Sequence, residues 1–303
     1  MIDVIIPTKN SGDVLEVCLK SLNAQIEPVN IIIVDANSKD NTRELAVQYS
    51  ATLIDEPKKK IPGSKRALAC NKGIKSSSSE IVAFLDSDTE VPHTWSSDIE
   101  KHFTDEHVGG ISSGCVENRS TKLAQSISKI LSISKSHAKQ FEFTKLIDSC
   151  PGYNSAYRRS VLLEVGMFNE QIGGCEDWEL NLRIRKAGYS LLGVSSSPVI
   201  HYERKDLKSF AKQMFGYGWS RSRLLKVTKN FTFIHAMPSL IFLACFLSLE
   251  SMLLMIAGYL MYKFSVNRIG ETIEKLPQFA VTFITLDVFY FSWTFGYIKG
   301  LFE

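Results

Sequence analysis

The stretch that decides the fold is Ile81-Val82-Ala83-Phe84-Leu85-Asp86-Ser87-Asp88. Five apolar residues without alternation read as a strand covered on both faces, the pattern of a central strand in an α/β sheet. The run stops at two carboxylates one residue apart. Working outward, the same logic repeats. Val4-Ile5-Ile6 is a buried strand, and Val14, Leu15, Cys18, Leu19 and Leu22 then share one helical face. Asn30–Val34 is a second strand closed by Asp35. A helix capped by Asn41 or Thr42 follows, then a short strand at Thr52-Leu53-Ile54 and a helix over Ser64–Ile74. Past the decisive stretch, Pro92 opens a helix carrying Trp95, Ile99 and Phe103. Later, Glu179–Ala187 forms a helix ended by Gly188, and Pro198-Val199-Ile200 forms an apolar run ended by His201. Alternating strands and helices predict an α/β fold with a mostly parallel, doubly wound sheet. Ligands of such sheets bind at the carboxyl ends of the strands, so Asp35, Asp86 and Asp88 are expected to share one crevice.

Composition narrows the classes further. The chain has 303 residues, 45% hydrophobic and 22% charged, which excludes a disordered chain. A net charge of +3 gives no argument for nucleic acid as a partner. Six scattered cysteines lack any CxxC pair, so they read as reduced, buried thiols rather than zinc ligands. Met1–Pro7 has no basic start and too short an apolar run for a signal peptide. A mean hydropathy of -0.01 is high for a soluble enzyme, and its source is the last third. Residues 237–261 and 277–298 each carry one charge, Glu250 and Asp287, and each can cross a hydrocarbon core of about 30 Å. Residues 204–230 precede them. Arg204, Lys205, Lys208, Lys212, Arg221, Arg223, Lys226 and Lys229 alternate there with Phe210, Met214, Tyr217 and Trp219. A basic amphipathic flank reads as an interface helix on the cytoplasmic side. The expected organisation is a catalytic domain at 1–203, a basic interface segment at 204–230, and a membrane domain at 231–303. The last would be a two-helix hairpin, making a multi-pass protein of the cell membrane.

The chemistry follows from residue types. Asp86 and Asp88 at a strand exit can hold a hard cation, Mn2+ or Mg2+, that bridges to phosphates. A surface turn would also contain such a triplet. Asp35 can accept hydrogen bonds from a base or ribose, or can serve the turn it begins. Lys65 and Arg66 at a helix start suit a pyrophosphate, although no P-loop spacing is present. Asp177, between Glu176 and Trp178, is a candidate general base, and acidic residues at a helix start also partner its dipole. His201, near these carboxylates, is a further metal-ligand candidate.

In order, Ile6-Pro7-Thr8-Lys9-Asn10, Val34-Asp35 through Thr42, Lys65-Arg66 with Asn71-Lys72-Gly73-Ile74, Phe84 to Asp88, Asn154-Ser155-Ala156-Tyr157-Arg158-Arg159 and Glu176-Asp177 resemble glycosyltransferase family 2 with its GT-A fold. The resemblance spans roughly residues 2–220. It implies that Pro7, Thr8, Asn10 and Asp35 hold the nucleotide, together with Lys65, Arg66, Asp86 and Ser87. It implies Asp88, Asp86 and His201 as metal ligands, Asn154, Glu176 and Trp178 in the acceptor region, and Asp177 as the base. The chain is also similar to the membrane-attached, cellulose-synthase-like branch. The Gln-x-x-Arg-Trp motif of processive members is incomplete here, because Gly216-Tyr217 stand in its last two places after Gln213. The kind it is most similar to is an archaeal-type membrane mannosyltransferase. The implied reaction is metal-dependent, inverting transfer of a sugar, with mannose from GDP-mannose favoured, to a lipid-linked glycan or lipid acceptor. Two alternatives stand beside it. A haloacid-dehalogenase-like phosphatase would use D-x-D-x-T, but Glu90 occupies the fifth place. A membrane-tethered binder of nucleotide sugars or lipids would use the acidic pairs only structurally.

Overall fold

Ile2–Thr8 (β1) lies in the middle of one half of the sheet, parallel to Val29–Asp35 (β2) on one side and Ile81–Leu85 (β4) on the other. Its unbroken apolar sequence is explained by burial on both faces. Val4 and Ile6 enter one core layer and Ile5 the other, and the same alternation runs through Ile31 to Val34 and Ile81 to Leu85. Pro7, which has no N–H to give, stands beyond the last β1–β4 pair, Ile5 with Phe84.

The structure is a computed structural model and describes residues 1–56, 65–116, 121–133, 143–202, 206–228 and 276–302. Between and after these strands come helices Gly12–Asn23 (α1), Thr42–Gln48 (α2) and Lys65–Ser76 (α3), and strand Thr52–Asp55 (β3). Thr89–Glu90 (β5), Trp95–Glu100 (α4), Val108–Ser112 (β6), Cys115–Val116 (β7), Lys122–Ile133 (α5) and Lys145–Leu146 (β8) follow. Then come Asn154–Arg158 (β9), Arg159–Glu164 (α6), Glu176–Lys186 (α7), Ser190–Gly193 (β10), Val199–His201 (β11), Leu207–Thr228 (α8) and Gln278–Phe302 (α9). The main sheet has eight strands in the order β3-β2-β1-β4-β9-β6-β10-β8, and β5-β11-β7 form a second sheet. Helices α1 and α4 cover one face of the main sheet through Leu15, Leu19, Trp95 and Ile99. Helices α3, α6 and α7 cover the other through Cys70, Ile74, Leu162 and Ile184. At Gly73 an added Cβ would lie 2.5 Å from Ile5, so glycine is what lets α3 close onto β1.

Two expectations are corrected. The sheet is mixed rather than mostly parallel, because β9 runs antiparallel to both β4 and β6. An apolar strand reads alike in either direction, so direction was not encoded in the hydrophobic runs. Pro92 does not open α4. It sits in the preceding turn, where its carbonyl accepts from Trp95 N at 3.0 Å, and Phe103 lies past the helix end.

The chain divides into two compact units. One is Met1–Val116, His137–Gln171 and Glu176–Tyr202; the other is Glu117–Ser136, Ile172–Cys175 and Glu203–Glu303. In the second, α5, α8 and α9 share a core of Ile127, Leu131, Phe210, Met214, Phe289 and Trp293. Phe210 and Met214 are therefore core residues and do not face a membrane surface as the amphipathic reading of 204–230 expected. Helix α9 is long and apolar enough to cross a membrane, over Ala280–Phe302. Along it, Gly296 faces the Phe215 carbonyl and Gly300 faces Ser222, where an added Cβ would come within 2.0 and 1.9 Å. Glycines four apart that admit a neighbouring backbone are a packing device of membrane helices. The expected span at 237–261 lies outside the described residues, so of the expected hairpin one helix is described.

Asp3 ties the amino end of the sheet together. Its carboxylate, 2% exposed, accepts from Ser78 N at 2.8 Å, Ser79 N at 3.0 Å and Asn30 Nδ2 at 2.8 Å. Burial opposes ionisation, but these donors prevail and hold the group below the usual carboxylate range. The stabilisation is thus present above the unfolded-state pKa and fades as pH falls through the folded one. Asp3→Asn is expected to cost about 1–3 kcal/mol at pH 7 in urea unfolding. The difference from the parent should shrink at pH 3.

Candidate active site

Strands β1, β2 and β4 end side by side, and their exits build the site. At the end of β2, Asp35 is buried and saturated. Its Oδ1 accepts from the Ser38 hydroxyl and from Thr8 Oγ1 at 3.3 Å, and its Oδ2 accepts from Ser38 N at 3.0 Å and Arg43 Nη1 at 2.9 Å. Burial alone would raise its pKa, but Ser38 and then Arg43 pull it below the ordinary value. All four acceptor positions of the carboxylate are taken by protein. Asp35 therefore anchors Thr8, Ser38 and Arg43 here, and direct contact with a base or ribose would displace one of them. Arg43, which also reaches Asp55 Oδ1 at 2.6 Å, was not singled out from sequence.

Asn10 adopts φ 50°, a left-handed conformation that asparagine tolerates. There its N–H donates to Ser38 Oγ at 2.8 Å, and its Oδ1 accepts from Lys39 N at 2.8 Å. Next along, Ser11 accepts at Oγ from Ser87 Oγ at 3.0 Å, which links this loop to the Asp86-Ser87-Asp88 turn. Asp35 and the acidic turn thus border one rim.

The sharpest convergence is at that turn. Strand β11 pairs antiparallel with β5, setting His201 opposite Thr89, and Tyr202 N donates to the Asp88 carbonyl at 2.9 Å. The Tyr153 ring, 4.9 Å away, packs on the imidazole. His201 Nε2 consequently lies 3.2 Å from Asp88 Oδ1 and 3.7 Å from Asp86 Oδ2, and the three donor atoms fall within 4.8 Å of one another. Bonds of about 2.1 Å to one octahedral cation put cis donors about 3.0 Å apart and trans donors about 4.2 Å apart. The 3.2 Å pair matches adjacent ligands, and the 3.7 Å pair would have to close by some tenths of an ångström around an ion. Two carboxylates with one imidazole suit a divalent cation that accepts both oxygen and nitrogen.

Arg66, on α3, joins this cluster to the loop before β9 and to the first turn of α7. Its Nη2 donates to Asp86 Oδ1 at 2.9 Å and to the Gly152 carbonyl at 2.6 Å, and its Nη1 lies 3.8 Å from Glu176 Oε1. Gly152 N in turn donates to Asp177 Oδ2 at 3.0 Å. Burial opposes ionisation of Asp86, but the Arg66 charge and then His201 hold it well below the usual range. Burial pushes Glu176 up, and the Asp177 charge adds to the rise while Arg66 opposes it.

Not every expected residue is at the surface of the crevice. Asn154 is fully buried. Its amide donates to Ser113 Oγ at 3.0 Å and the Gly114 carbonyl at 2.9 Å, and its Oδ1 accepts from Trp95 Nε1 at 3.2 Å. It belongs to the scaffold, not to an acceptor surface, and Glu176, 6% exposed, is also buried. Lys65 is exposed, and Asp177 and Trp178 are half-buried. Gly152, Tyr153 and Arg43 were missed from sequence. Their only signal was position, with Gly152-Tyr153 directly before the Asn154 motif.

Comparison with known proteins identifies the family and the fold. The profile of Glycosyl transferase family 2 matches residues 3–166. The succinoglycan biosynthesis protein ExoA of Rhizobium meliloti is 25% identical over 78% of this chain and 72% of its own. A Methanococcus voltae dolichyl N-acetyl-alpha-D-glucosaminyl phosphate 3-beta-D-2,3-diacetamido-2,3-dideoxy-beta-D-glucuronosyltransferase is 25% identical over 99% of this chain and 97% of its own. Among solved structures, the mannosyltransferase PcManGT of Pyrobaculum calidifontis, bound to GDP-Man and Mn2+, superposes with TM-score 0.62 at 19% identity, over 99% of this chain and 86% of that one. That likeness shows the fold.

Because folding raises the Glu176 pKa, its contribution to stability is intact below the unfolded value and is lost as pH rises through the folded one. Glu176→Gln is therefore expected to melt higher than the parent at pH 8, with the gain disappearing at pH 4 in the same melting assay.

Proposed function

The chain belongs to glycosyl transferase family 2, and from that premise we propose that it transfers a sugar from a nucleoside diphosphate to a lipid-linked acceptor at a membrane surface, with inversion at the anomeric carbon. Family membership makes it a nucleotide-sugar glycosyltransferase and removes the phosphatase and non-catalytic alternatives. The observation that carries the finer reading is the meeting of Asp86, Asp88 and His201 beside the Arg66–Gly152–Asp177 chain.

In this reading Asp86, Asp88 and His201 hold Mn2+ or Mg2+, which supplies positive charge against the departing diphosphate. Lys65 adds a cation near the same end of the sheet. Thr8, Asn10 and Ser87 line the rim that receives the nucleotide, with Asp35 fixing their frame. Asp177 removes the proton from the acceptor hydroxyl. Gly152 N and Trp178 N, at 3.0 and 2.8 Å, fix the two carboxylate oxygens and so aim the base. One direct displacement inverts configuration.

The donor we favour is GDP-mannose, supported by the fold shared with PcManGT, whose structure contains that donor and Mn2+. A dolichyl-phosphate-linked acceptor is supported by the name of the Methanococcus relative. A membrane-attached enzyme with a cytoplasmic active site is supported by the candidate span in helix α9 and by the basic residues of α8.

A thermal-shift panel of nucleoside diphosphates with and without Mn2+ tests the reading, since a ligand of the native state raises its melting point. GDP with Mn2+ should stabilise the parent, and Asp88→Ala should abolish the Mn2+-dependent part. Asp177→Asn should keep that shift while kcat falls on the order of 10²–10⁴-fold. Undiminished turnover in Asp177→Asn, or full Mn2+ dependence in Asp88→Ala, would overturn the assignments.

A further inference from the structure

We propose that Arg66 is a positioning residue that braces the acidic turn against the base-bearing segment, rather than a ligand of the donor diphosphate. The inference rests on the transferase reading above. It starts from where the guanidinium donors go. Nη2 is shared between Asp86 and the Gly152 carbonyl, Nε lies 3.3 Å from Asp86 Oδ1, and Nη1 lies 3.6 Å from Cys70 Sγ and 3.8 Å from Glu176. Each nitrogen of the fork faces a protein partner. Its side chain is only 25% exposed, so little of it is offered to a bound phosphate.

The partners are what give the brace a direction. Asp86 belongs to the turn that carries two of the three converging donors. Gly152 stands between Arg66 and Asp177, giving its carbonyl to one and its N–H to the other. One rigid planar cation therefore holds a carboxylate of the metal cluster and the backbone that orients the base. Lysine could not do the same, because an ammonium is a point charge on a flexible stem and does not span two fixed acceptors with a fork. Gly152 is shaped for the contact. An added Cβ would lie 3.0 Å from Nη1 and 3.1 Å from Cζ, so with alanine the guanidinium must give by a few tenths of an ångström. Positive φ is not required at this position, so alanine meets no backbone strain there.

The brace makes a separable prediction. Misplacing catalytic groups by about 1 Å can cost about 10²-fold in rate without loss of binding. Arg66→Lys and Gly152→Ala are each expected to lower kcat about 10–100-fold while the KM for the nucleotide sugar stays within about threefold. In the same proteins the thermal shift given by GDP with Mn2+ should persist, and melting points without ligand should stay near the parent. Gly152→Ala probes the contact from the other side, because it removes no charge and no hydrogen-bonding atom. A parental kcat in both Arg66→Lys and Gly152→Ala would overturn the brace. So would Arg66→Lys with unchanged kcat and a nucleotide-sugar KM raised more than about tenfold, the signature of a lost diphosphate ligand. Parental protein with no sugar transfer at all would instead overturn the reading on which the brace depends.

Discussion

Four carboxylates, Asp86, Asp88, Glu176 and Asp177, are gathered at one end of a sheet, and their mutual repulsion is the constraint to which the site answers. Like charges close together in a partly buried place raise one another's pKa unless cations intervene. The chain itself sets a cation, Arg66, against Asp86 and near Glu176. The imidazole of His201 meets Asp86 and Asp88 on the other side. The outcome differs from residue to residue. Asp86, with Arg66 and His201 against it, is held ionised, whereas buried Glu176 is pushed toward its neutral form. A divalent cation at the Asp86–Asp88–His201 cluster would complete the balance and be a counter-charge for a diphosphate.

The fold explains how residues more than a hundred positions apart meet. Parallel strands β1, β2 and β4 deliver Thr8, Asp35 and the acidic turn to one edge. The antiparallel β9 returns the chain through the sheet, and Gly152 and Tyr153 precede it. The small sheet β5-β11-β7 then brings His201 back to the acidic turn. Strand pairing fixes where the turns that carry Asp86, Asp88 and Gly152 leave the sheet, and side-chain hydrogen bonds then tie those turns together.

Much of this was legible in the residues. The continuous apolar runs of β1, β2 and β4 gave the α/β class, and β4 matched its expected bounds from Ile81 to Leu85. The carboxylates at strand exits announced a shared crevice. Strand direction was not legible, because hydrophobic runs read alike in either direction, and β9 carries buried polar residues such as Asn154 and Arg158 whose partners are remote in sequence. For the same reason Asn154 looked like a surface residue. Asp35 was recognised as important, but its saturation by Ser38, Thr8 and Arg43 is a matter of three-dimensional geometry. The apolar residues of α8 showed the limit of periodicity: Phe210 and Met214 suited a membrane surface equally well and instead pack with α9 and α5.

The account turns on whether two aspartates and one histidine bind a single ion. Electron paramagnetic resonance of Mn2+ bound to the full chain with GDP, read for nitrogen hyperfine coupling, addresses this directly. The account predicts coupling to one imidazole nitrogen in the parent, lost in His201→Ala. Bound Mn2+ with no nitrogen coupling, or coupling that survives His201→Ala, would contradict it.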